Sequence, residues 1–320
     1  MRTRLMVVAV SLPLLLGLLT PSAQAAATPV GCASASLLAA IANANAAPGP
    51  NTLSLSAGCV YVLTDSASGD GLPVVTDQLA IIGNNATIIR NSTTLFRIFE
   101  IANGIAVKMR HLTISGGHAP NGTGGSSGAN GGGILNHGRL TLKHVVLSAN
   151  LAGNGTTDIG GAVGQAGGSG GGIYNDGQLV IVGSTIASNR AGNGSAGSTN
   201  GGSGGAGGGI ANAGGLTVKT TKIRDNVAGN GGASTGPPGT PAGPGGAGGG
   251  IENGSTPGPV IFSDTIVSNH AGLTGGMPIP SGTGGGIHNV GGTIKPAKTT
   301  IKNNTPDNCT PTGSVKNCTD

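Results

Sequence analysis

Residues 131–150 read GGGILNHGRLTLKHVVLSAN, and this stretch is the first of five copies of one motif. Every copy begins with Gly-Gly-Gly-Ile, carries Asn two positions after the Ile, and has a second Asn farther on. The isoleucines lie 39, 37, 41 and 36 residues apart and are Ile134, Ile173, Ile210, Ile251 and Ile287. A period of this length indicates a repeat architecture in which each copy forms one structural unit.

Apolar residues recur at fixed positions before the second Asn. In the first copy they are Leu140, Leu142 and Leu147, and the residues between them are mostly polar or small. The alternation predicts short strands with one apolar face, and no apolar pattern of period 3.6 within the repeats is long enough for a helix. One unit cannot bury this face alone, so we expect coils to stack, with Leu140 next to Leu179 and Leu216.

An incomplete copy precedes these five. We place Ile101 and Asn103 at the Ile and Asn of the motif, and Gly117 at its second Asn. The apolar columns continue upstream through Val107, Met109 and Ile114 and, in one more irregular coil, through Leu79, Ile81, Ile88 and Ile89. The predicted fold is all-β: a right-handed parallel β-helix over residues 79–305, with about seven coils of about 4.8 Å each and a length somewhat over 30 Å.

The two Asn columns have a structural explanation. In a stack of parallel coils each Asn amide can donate to one neighbouring coil and accept from the other, and Asn tolerates the left-handed backbone of tight corners. We therefore expect structural ladders rather than a ligand site. Their members are Asn136, Asn175, Asn212, Asn253 and Asn289, and Asn150, Asn189, Asn226, Asn269 and Asn304.

The variable length of the repeat is confined to inserts before each Gly-Gly-Gly-Ile, rich in Gly, Ala, Ser, Thr and Pro. They run between residues 150 and 173, 189 and 210, 226 and 251, and 269 and 287. They should all leave the rod at one corner and line up as a glycine-rich fringe. Such a fringe could be a binding surface or a set of passive loops that cover the coil edges.

The two ends of the chain differ from the repeats. Arg2 and Arg4, an apolar run over residues 5–19 and the site Ala23-Gln24-Ala25 predict a signal peptide at residues 1–25. Residues 26–78 are predicted as an N-terminal cap containing a short helix, residues 36–46, which carries Leu37, Leu38 and Ile41. Residues 306–320 should form a cap at the other end, because an open coil edge invites aggregation.

The four cysteines lie in these two caps. In an exported protein they are read as disulfides, and proximity in sequence favours Cys32–Cys59 and Cys309–Cys318 among the three possible pairings. A metal site is disfavoured because the chain has no C-x-x-C spacing and no nearby pair of His. The six His are assigned to different columns of the repeat, so the sequence predicts neither a metal nor a cofactor.

Composition limits the classes of partner. Charged residues are 8% of the 320, and removal of Arg2 and Arg4 lowers the net charge from +5 to +3. With no basic stripe visible and few aromatic residues, the sequence gives no indication of nucleic-acid binding. The sequence has no second long apolar segment, so we predict no membrane insertion after signal cleavage.

The repeat resembles that of the polymorphic outer membrane proteins of chlamydiae, which pair Gly-Gly-x-Ile with an aromatic-or-aliphatic-x-x-Asn motif. Here the second motif reads Leu147-Ser-Ala-Asn150 and Ile186-Ala-Ser-Asn189, with Leu or Ile in place of the family's Phe. With Cys32, Cys59 and Asp307-Asn308-Cys309, residues 32–318 are also similar to secreted β-helix repeat proteins of actinobacteria. The resemblance implies the pectin-lyase-like right-handed β-helix, in a family that includes adhesins.

The expected function is that of a secreted, non-enzymatic surface or matrix protein, adhesin-like, with an extracellular polysaccharide or cell-surface ligand. The alternative is a polysaccharide lyase or glycoside hydrolase, since such enzymes share this fold. The densest set of charged candidates is Lys222, Arg224, Asp225, Glu252 and Asp264, which we interpret as a solvated salt-bridged patch. An ice-binding face is disfavoured because Lys222 interrupts the outward row of Thr residues.

Overall fold

The computed structural model describes residues 26–158, 160–256, 259–276 and 281–318. The signal peptide predicted at residues 1–25 lies outside these ranges and stays a prediction. In the described ranges the elements are β1(Thr28–Val30), α1(Ser34–Ala46), β2(Asn51–Leu55), β3(Val60–Leu63), β4(Leu79–Arg90), β5(Phe99–Ile101), β6(Ala106–Ser115), β7(Ile134–Asn136), β8(Arg139–Ser148), β9(Ile173–Asn175), β10(Gln178–Val182), β11(Thr185–Ala187), β12(Ile210–Asn212), β13(Gly215–Lys219), β14(Lys222–Arg224), β15(Ile251–Asn253), β16(Val260–Phe262), β17(Thr265–Val267), β18(Ile287–Asn289), β19(Thr300–Lys302) and β20(Cys309–Thr310).

These strands form two all-parallel sheets. The larger sheet has 13 strands, and its main path runs β1-β2-β4-β6-β8-β11-β14-β17-β19. The smaller sheet has seven, in the order β20-β18-β15-β12-β9-β7-β5. The chain alternates between the sheets once per repeat, so the molecule is a parallel β-helix. The eight steps of about 4.8 Å along the main path give a stack roughly 38 Å long.

The predicted apolar columns are confirmed. Leu142 pairs with Ile181, and Ile181 pairs with Val218, on neighbouring strands. The column continues through Met109 and Ile81 on one side. Every one of these side chains is at most 1% exposed. The core is therefore a continuous apolar stack inside the coils, as the two-residue alternation requires.

The register of the incomplete upstream copy differs from the prediction. Phe99, rather than Ile101, pairs with Ile134, and Ile101 pairs with Asn136. The predicted placement of Ile101 and Asn103 is therefore wrong by two residues. A shift of two keeps the same side chains facing inward, so the alternation alone could not detect it. The other columns of this copy, including Val107 beside Leu140, are as predicted.

Left-handed backbone forms the corners of the coils. His111 and His144 both have positive φ, at 51° and 53°, at the bend within β6 and β8. Their rings stack with centroids 5.1 Å apart. The expectation that the six His occupy different columns is therefore wrong for this pair. His144 stands six residues before Asn150, and His111 stands six residues before Gly117, so the sequence already indicated that the two His share one column.

The N-terminal region joins the stack rather than sitting beside it. Helix α1 is confirmed, with Leu37 and Ile41 fully buried and Leu38 37% exposed. The strands on either side of it, β1 and β2, pair in parallel and extend the larger sheet. The disulfides Cys32–Cys59 and Cys309–Cys318 both form, one near each end of the stack.

Candidate functional site

The predicted Asn columns form hydrogen-bonded ladders inside the coils. Along the smaller sheet, each Asn Nδ2 donates to the Oδ1 of the next Asn, at 2.6 Å from Asn175 to Asn212 and 2.7 Å from Asn212 to Asn253. In the second ladder the Nδ2 atoms of Asn189 and Asn226 donate in the same way at 2.9 and 3.0 Å. All four of these donors are at most 2% exposed. A ligand at the surface therefore cannot reach them.

A third Asn row, which the sequence interpretation missed, lies in the glycine-rich inserts. The Oδ1 atoms of Asn121, Asn154 and Asn193 accept from the backbone N–H of the Asn in the next coil, at 2.8 to 2.9 Å. Asn230 Oδ1 accepts in the same way from Leu273 N, at 3.0 Å. The signal was present in the recurrent Ala-Gly-Asn-Gly that follows the second Asn of the repeat.

The inserts form one hydrogen-bonded layer instead of separate loops. One row of backbone bonds links Gly153, Gly168, Gly192, Gly205 and Gly229, with N–O distances of 2.7 to 2.8 Å. A second row lies three residues away along every segment and links Gln165, Ser195, Gly202 and Gly232. Backbone that repeats every three residues and bonds only to neighbouring segments is typical of polyproline II-type structure.

Close packing explains why this layer is glycine. A Cβ built on Gly192 would lie 1.8 Å from the Gly153 oxygen, and one on Gly229 would lie 1.8 Å from the Gly192 oxygen. On the returning segments, a Cβ on Gly205 would lie 2.0 Å from the Gly168 oxygen. No side chain fits at such distances, so glycine here permits contact between backbones.

The charged set around Lys222 is not one site. Lys222 and Arg224 project from β14, and Arg224 pairs with the adjacent Asp225. Glu252 lies on β15 in the smaller sheet. Asp264 directly precedes Thr265, which pairs with Lys222, so it lies beside Lys222 as expected. However, it is only 2% exposed, and its Oδ1 accepts a hydrogen bond from the Thr221 backbone N–H at 2.6 Å. It therefore stabilises a corner of the coil and is not part of a solvated patch.

The two sheets carry opposite charges. Within the described ranges, no strand of the larger sheet contains Asp or Glu. The same strands contain nine Lys or Arg residues, which are Arg90, Lys108, Arg110, Arg139, Lys143, Lys219, Lys222, Arg224 and Lys302. The strands of the smaller sheet contain Glu100 and Glu252 but no Lys or Arg. The expectation that no basic stripe exists is therefore wrong, because stacking brings together cations that are distant in sequence.

The larger sheet bends within β6 and β8, and the cations before the bend are Lys108, Arg110, Arg139, Lys143 and Lys219. The densest part of this cationic face is a groove across β2, β4, β6 and β8. Lys108 pairs with Thr141 and Arg110 with Lys143, so three exposed cations lie on two adjacent strands. The groove has a volume of about 270 Å³. Its lining consists of Thr52, Ala80, Ile81, Ile82, Lys108, Met109, Arg110, Thr141 and Lys143. Ile81 and Met109 face the core, so the accessible floor consists of Ala80 and Ile82 with Thr52 and Thr141, between cationic walls.

The groove continues toward the N-terminal ends of β2, β4 and β6. A second depression of about 210 Å³ shares Thr52, Ala80 and Lys108 with it and extends to Asn51 and Gln78. In the described chain, Lys108, Arg110 and Lys143 form no ion pair. Their charges are therefore available to an anionic ligand, and we call this surface the cationic groove.

The outward face of the smaller sheet presents a different set of groups. Tyr174, Ala211, Glu252 and His288 occupy one column on successive strands. Burial raises the pKa of Glu252 to about 7. Burial also raises the pKa of Tyr174, helped by the nearby charges of Asp176 and Glu252. This column is chemically distinct from the cationic groove.

Across the described ranges, no group of three or more His, Cys, Asp or Glu is arranged to hold a metal ion. The helix that the structure describes is too short to cross a membrane. Comparison with protein-family models, curated proteins and solved structures finds no match to the chain.

Proposed function

We propose that this protein is a secreted, non-enzymatic binding protein that holds an acidic extracellular polysaccharide on the larger sheet. The single observation that supports this most strongly is the charge of that sheet, whose described strands hold nine cations and no carboxylate. Clustered charge of one sign attracts a polymer of the opposite sign and raises its local concentration.

A polysaccharide fits the cationic groove better than a nucleic acid does. The accessible lining of the groove contains Ala80 and Ile82 but no Phe, Tyr or Trp on which bases could stack. Sugar rings have apolar faces that can lie on an aliphatic floor while their carboxylates reach Lys108 and Arg110. The two disulfides favour an oxidising, extracellular environment, where acidic polysaccharides are available.

Export and family membership are part of the same proposal. The predicted signal peptide at residues 1–25 would direct secretion. The resemblance to polymorphic outer membrane proteins and to secreted actinobacterial repeat proteins supports an adhesin-like role on a right-handed, pectin-lyase-like β-helix. The alternative of a lyase or hydrolase predicts release of sugar products, which a binding protein would not give.

The test measures binding to immobilised polygalacturonate, with a neutral glucan and duplex DNA as comparison ligands. The wild-type protein should prefer polygalacturonate, and joint replacement of Lys108, Arg110 and Lys143 by Ala should weaken binding about tenfold or more. A matched variant loses three cations that lie outside the strands, Arg190, Lys295 and Lys316, and should bind within about twofold of wild type.

Equal losses in the two triple variants would reduce the effect to net charge and overturn the assignment to the groove. Tighter binding to DNA than to polygalacturonate would reject the polysaccharide. Release of unsaturated or reducing-end products, abolished by Lys222→Ala or Asp225→Ala, would establish the enzymatic alternative instead.

A further inference from the structure

The larger sheet ends at β19 without a strand to cover it. Among the described residues, β19 pairs with β17 on one side and with no strand on the other. The C-terminal cap covers the rest of the last coil, because β20 pairs with β18 and Val315 pairs with Ile294. Asn308 covers Asn304 at the adjoining corner. The cap therefore passes over the neighbours of β19 and leaves the edge of this one strand unpaired.

The opposite end of the same stack is protected by the helix. There β3 is the outermost strand, paired with the second half of β4. The backbone N–H of Asn91 donates to Leu63 O at 2.9 Å, so the neighbouring Val62 points to the free edge of β3. At that edge the Ser34 hydroxyl, at the start of α1, donates to Val62 O at 2.7 Å. A helix over an edge strand blocks further pairing, and in the described ranges β19 has no such helix.

The backbone of β19 presents hydrogen-bonding groups at its open edge. Thr300 N–H donates to Asp264 O at 2.9 Å, so Thr300 points toward the coil of β17. Successive residues of a strand point to opposite edges, and the N–H and C=O of Ile301 therefore point away from β17. Neither group has a hydrogen-bond partner within the described chain. Such an edge is a template for one more strand.

The apolar column inside the sheet is left incomplete at the same place. Ile186, Ile223 and Ile266 pair in register on successive strands, and each is 0% exposed. Ile301 is the next member of this column, but it is only half-buried. One apolar side chain from an added strand would cover Ile301 as each coil covers the one before it.

A depression of about 450 Å³ lies along this edge, and its charge indicates what it accepts. Residues of β19 line it together with Lys298 and Lys316, and the lining contains no Asp or Glu. Lys302 and Lys316 are exposed and form no ion pair in the described chain. A partner with carboxylates is therefore favoured. A second copy of this chain is disfavoured, because α1 covers the strand that would pair with β19.

We propose that the edge of β19 binds an extended acidic peptide segment of a partner protein as one more parallel strand. The partner residue opposite Ile301 is apolar, and the residue after it is Asp or Glu and lies beside Lys302. The N–H of this acidic residue donates to Ile301 O, and the carbonyl before the apolar residue accepts from Ile301 N–H. The site is separate from the cationic groove, which crosses β2, β4, β6 and β8.

The probe is a fluorescein-labelled peptide with the sequence Thr-Glu-Thr-Glu-Val-Glu-Thr-Glu, whose single Val sets the register on Ile301. Fluorescence anisotropy measures its affinity for the wild-type protein. A second peptide carries an N-methyl group on the Glu after Val, so it keeps the charge but cannot donate to Ile301 O. It should bind about tenfold more weakly or worse. Hydrogen exchange at Ile301 N–H should slow when the unmodified peptide is bound.

Charge reversal at the edge tests where the peptide lies. Lys302→Glu should weaken binding of the acidic peptide about fivefold or more, because attraction across neighbouring strands becomes repulsion. The same variant should bind a peptide with Lys in place of every Glu more tightly than wild type does. Arg190→Glu makes the same change of charge at an exposed residue outside the strands and should stay within about twofold of wild type. Thermal unfolding establishes that both variants are folded.

Equal affinity for the methylated and unmodified peptides would overturn strand addition, and wild-type affinity in Lys302→Glu would overturn the placement at β19. If binding were lost on joint replacement of Lys108, Arg110 and Lys143 but not of Lys302, the peptide would belong to the cationic groove and the proposal would fail. Absence of peptide binding by the wild-type protein would also reject it, whether or not the same protein binds polygalacturonate.

Discussion

Asn308 takes the place that the Asn of one more coil would occupy. Its Oδ1 accepts from Asn304 Nδ2 at 2.9 Å and from Asn304 N at 3.2 Å. Asn304 accepts the same pair of bonds from Asn269, both at 2.9 Å. Asp307 likewise accepts from the backbone N–H of Gly284 and Gly285 at the exposed end of the stack. The C-terminal cap therefore closes the β-helix by reproducing the hydrogen bonds of an additional coil.

Replacement of Asn308 by Ala should destabilise the protein by about 1–3 kcal/mol, because the Asn304 backbone N–H loses its acceptor and the Asn304 side-chain amide loses one of its three. Urea unfolding measures the change. Thr312→Ala, an exposed substitution in the same cap, should stay within about 0.5 kcal/mol of wild type. The Asn308 variant should also associate more readily in light scattering, since the last coil becomes an open edge. Identical stability of the two variants would contradict the capping role.

The position of an Asn in its ladder should determine how far its replacement lowers the free energy of unfolding. Asn226 is bonded on both sides, since its Oδ1 accepts from Asn189 and its Nδ2 donates to Asn269. Asn136 begins the other ladder next to Ile101, and its Oδ1 is buried without a partner among the described residues. Asn226→Ala should therefore cost more than Asn136→Ala, by about 1–3 kcal/mol in chemical unfolding. An equal or reversed cost would refute the ladder as a source of stability.

The glycine layer should tolerate substitution only where it is open. Gly192→Ala would place a Cβ 1.8 Å from the Gly153 oxygen, so we expect a loss of more than about 3 kcal/mol or failure to fold. Gly160 is the matched control, since no described atom lies within 4 Å of the position that its Cβ would take and its φ is not positive. Gly160→Ala should unfold within about 0.5 kcal/mol of wild type. Comparable thermal stability of both variants would show that the layer is loosely packed.

Much of the fold could be predicted because one coil repeats. The columns of Leu142, Ile181 and Val218 follow from period-two alternation and a constant spacing to Asn. The register of the upstream copy could not be predicted, because Phe99 and Ile101 both face inward and either one satisfies the apolar pattern. The structure of the inserts was also missed, since a three-residue backbone period in glycine-rich sequence leaves no pattern of apolar side chains to read.

The charged face was predictable in principle. Arg110, Lys143 and Lys219 all stand seven positions before the second Asn, or before Gly117 in the upstream copy. The pattern of apolar columns alone does not reveal this column of cations. The environment of Glu252 was not predictable, because its burial depends on side chains from neighbouring coils whose register comes only from the folded structure.

Salt should weaken binding by the cationic groove in proportion to the contacts made. If Lys108, Arg110 and Lys143 each neutralise an anionic group, the slope of log affinity against log salt concentration should become shallower by about 2–3 in the triple Ala variant. Biolayer interferometry with polygalacturonate between about 50 and 300 mM NaCl gives both slopes. An unchanged slope would mean that these three cations do not touch the polymer.

Glu252 should make the folded state less stable as pH rises. Its pKa is about 7 in the folded protein and 4.5 for the free side chain, so between these values the folded state binds more protons than the unfolded state. The free energy of unfolding then falls with increasing pH, and the effect is complete about one pH unit above the folded-state pKa of about 7. We expect wild type to lose roughly 2 kcal/mol relative to Glu252→Gln between pH 5 and pH 8, after allowance for partial exposure. Unfolding of both proteins across this range isolates the contribution, because Gln has the same shape and does not titrate. If the difference between the two proteins were constant with pH, Glu252 would be well solvated, and burial would not raise its pKa.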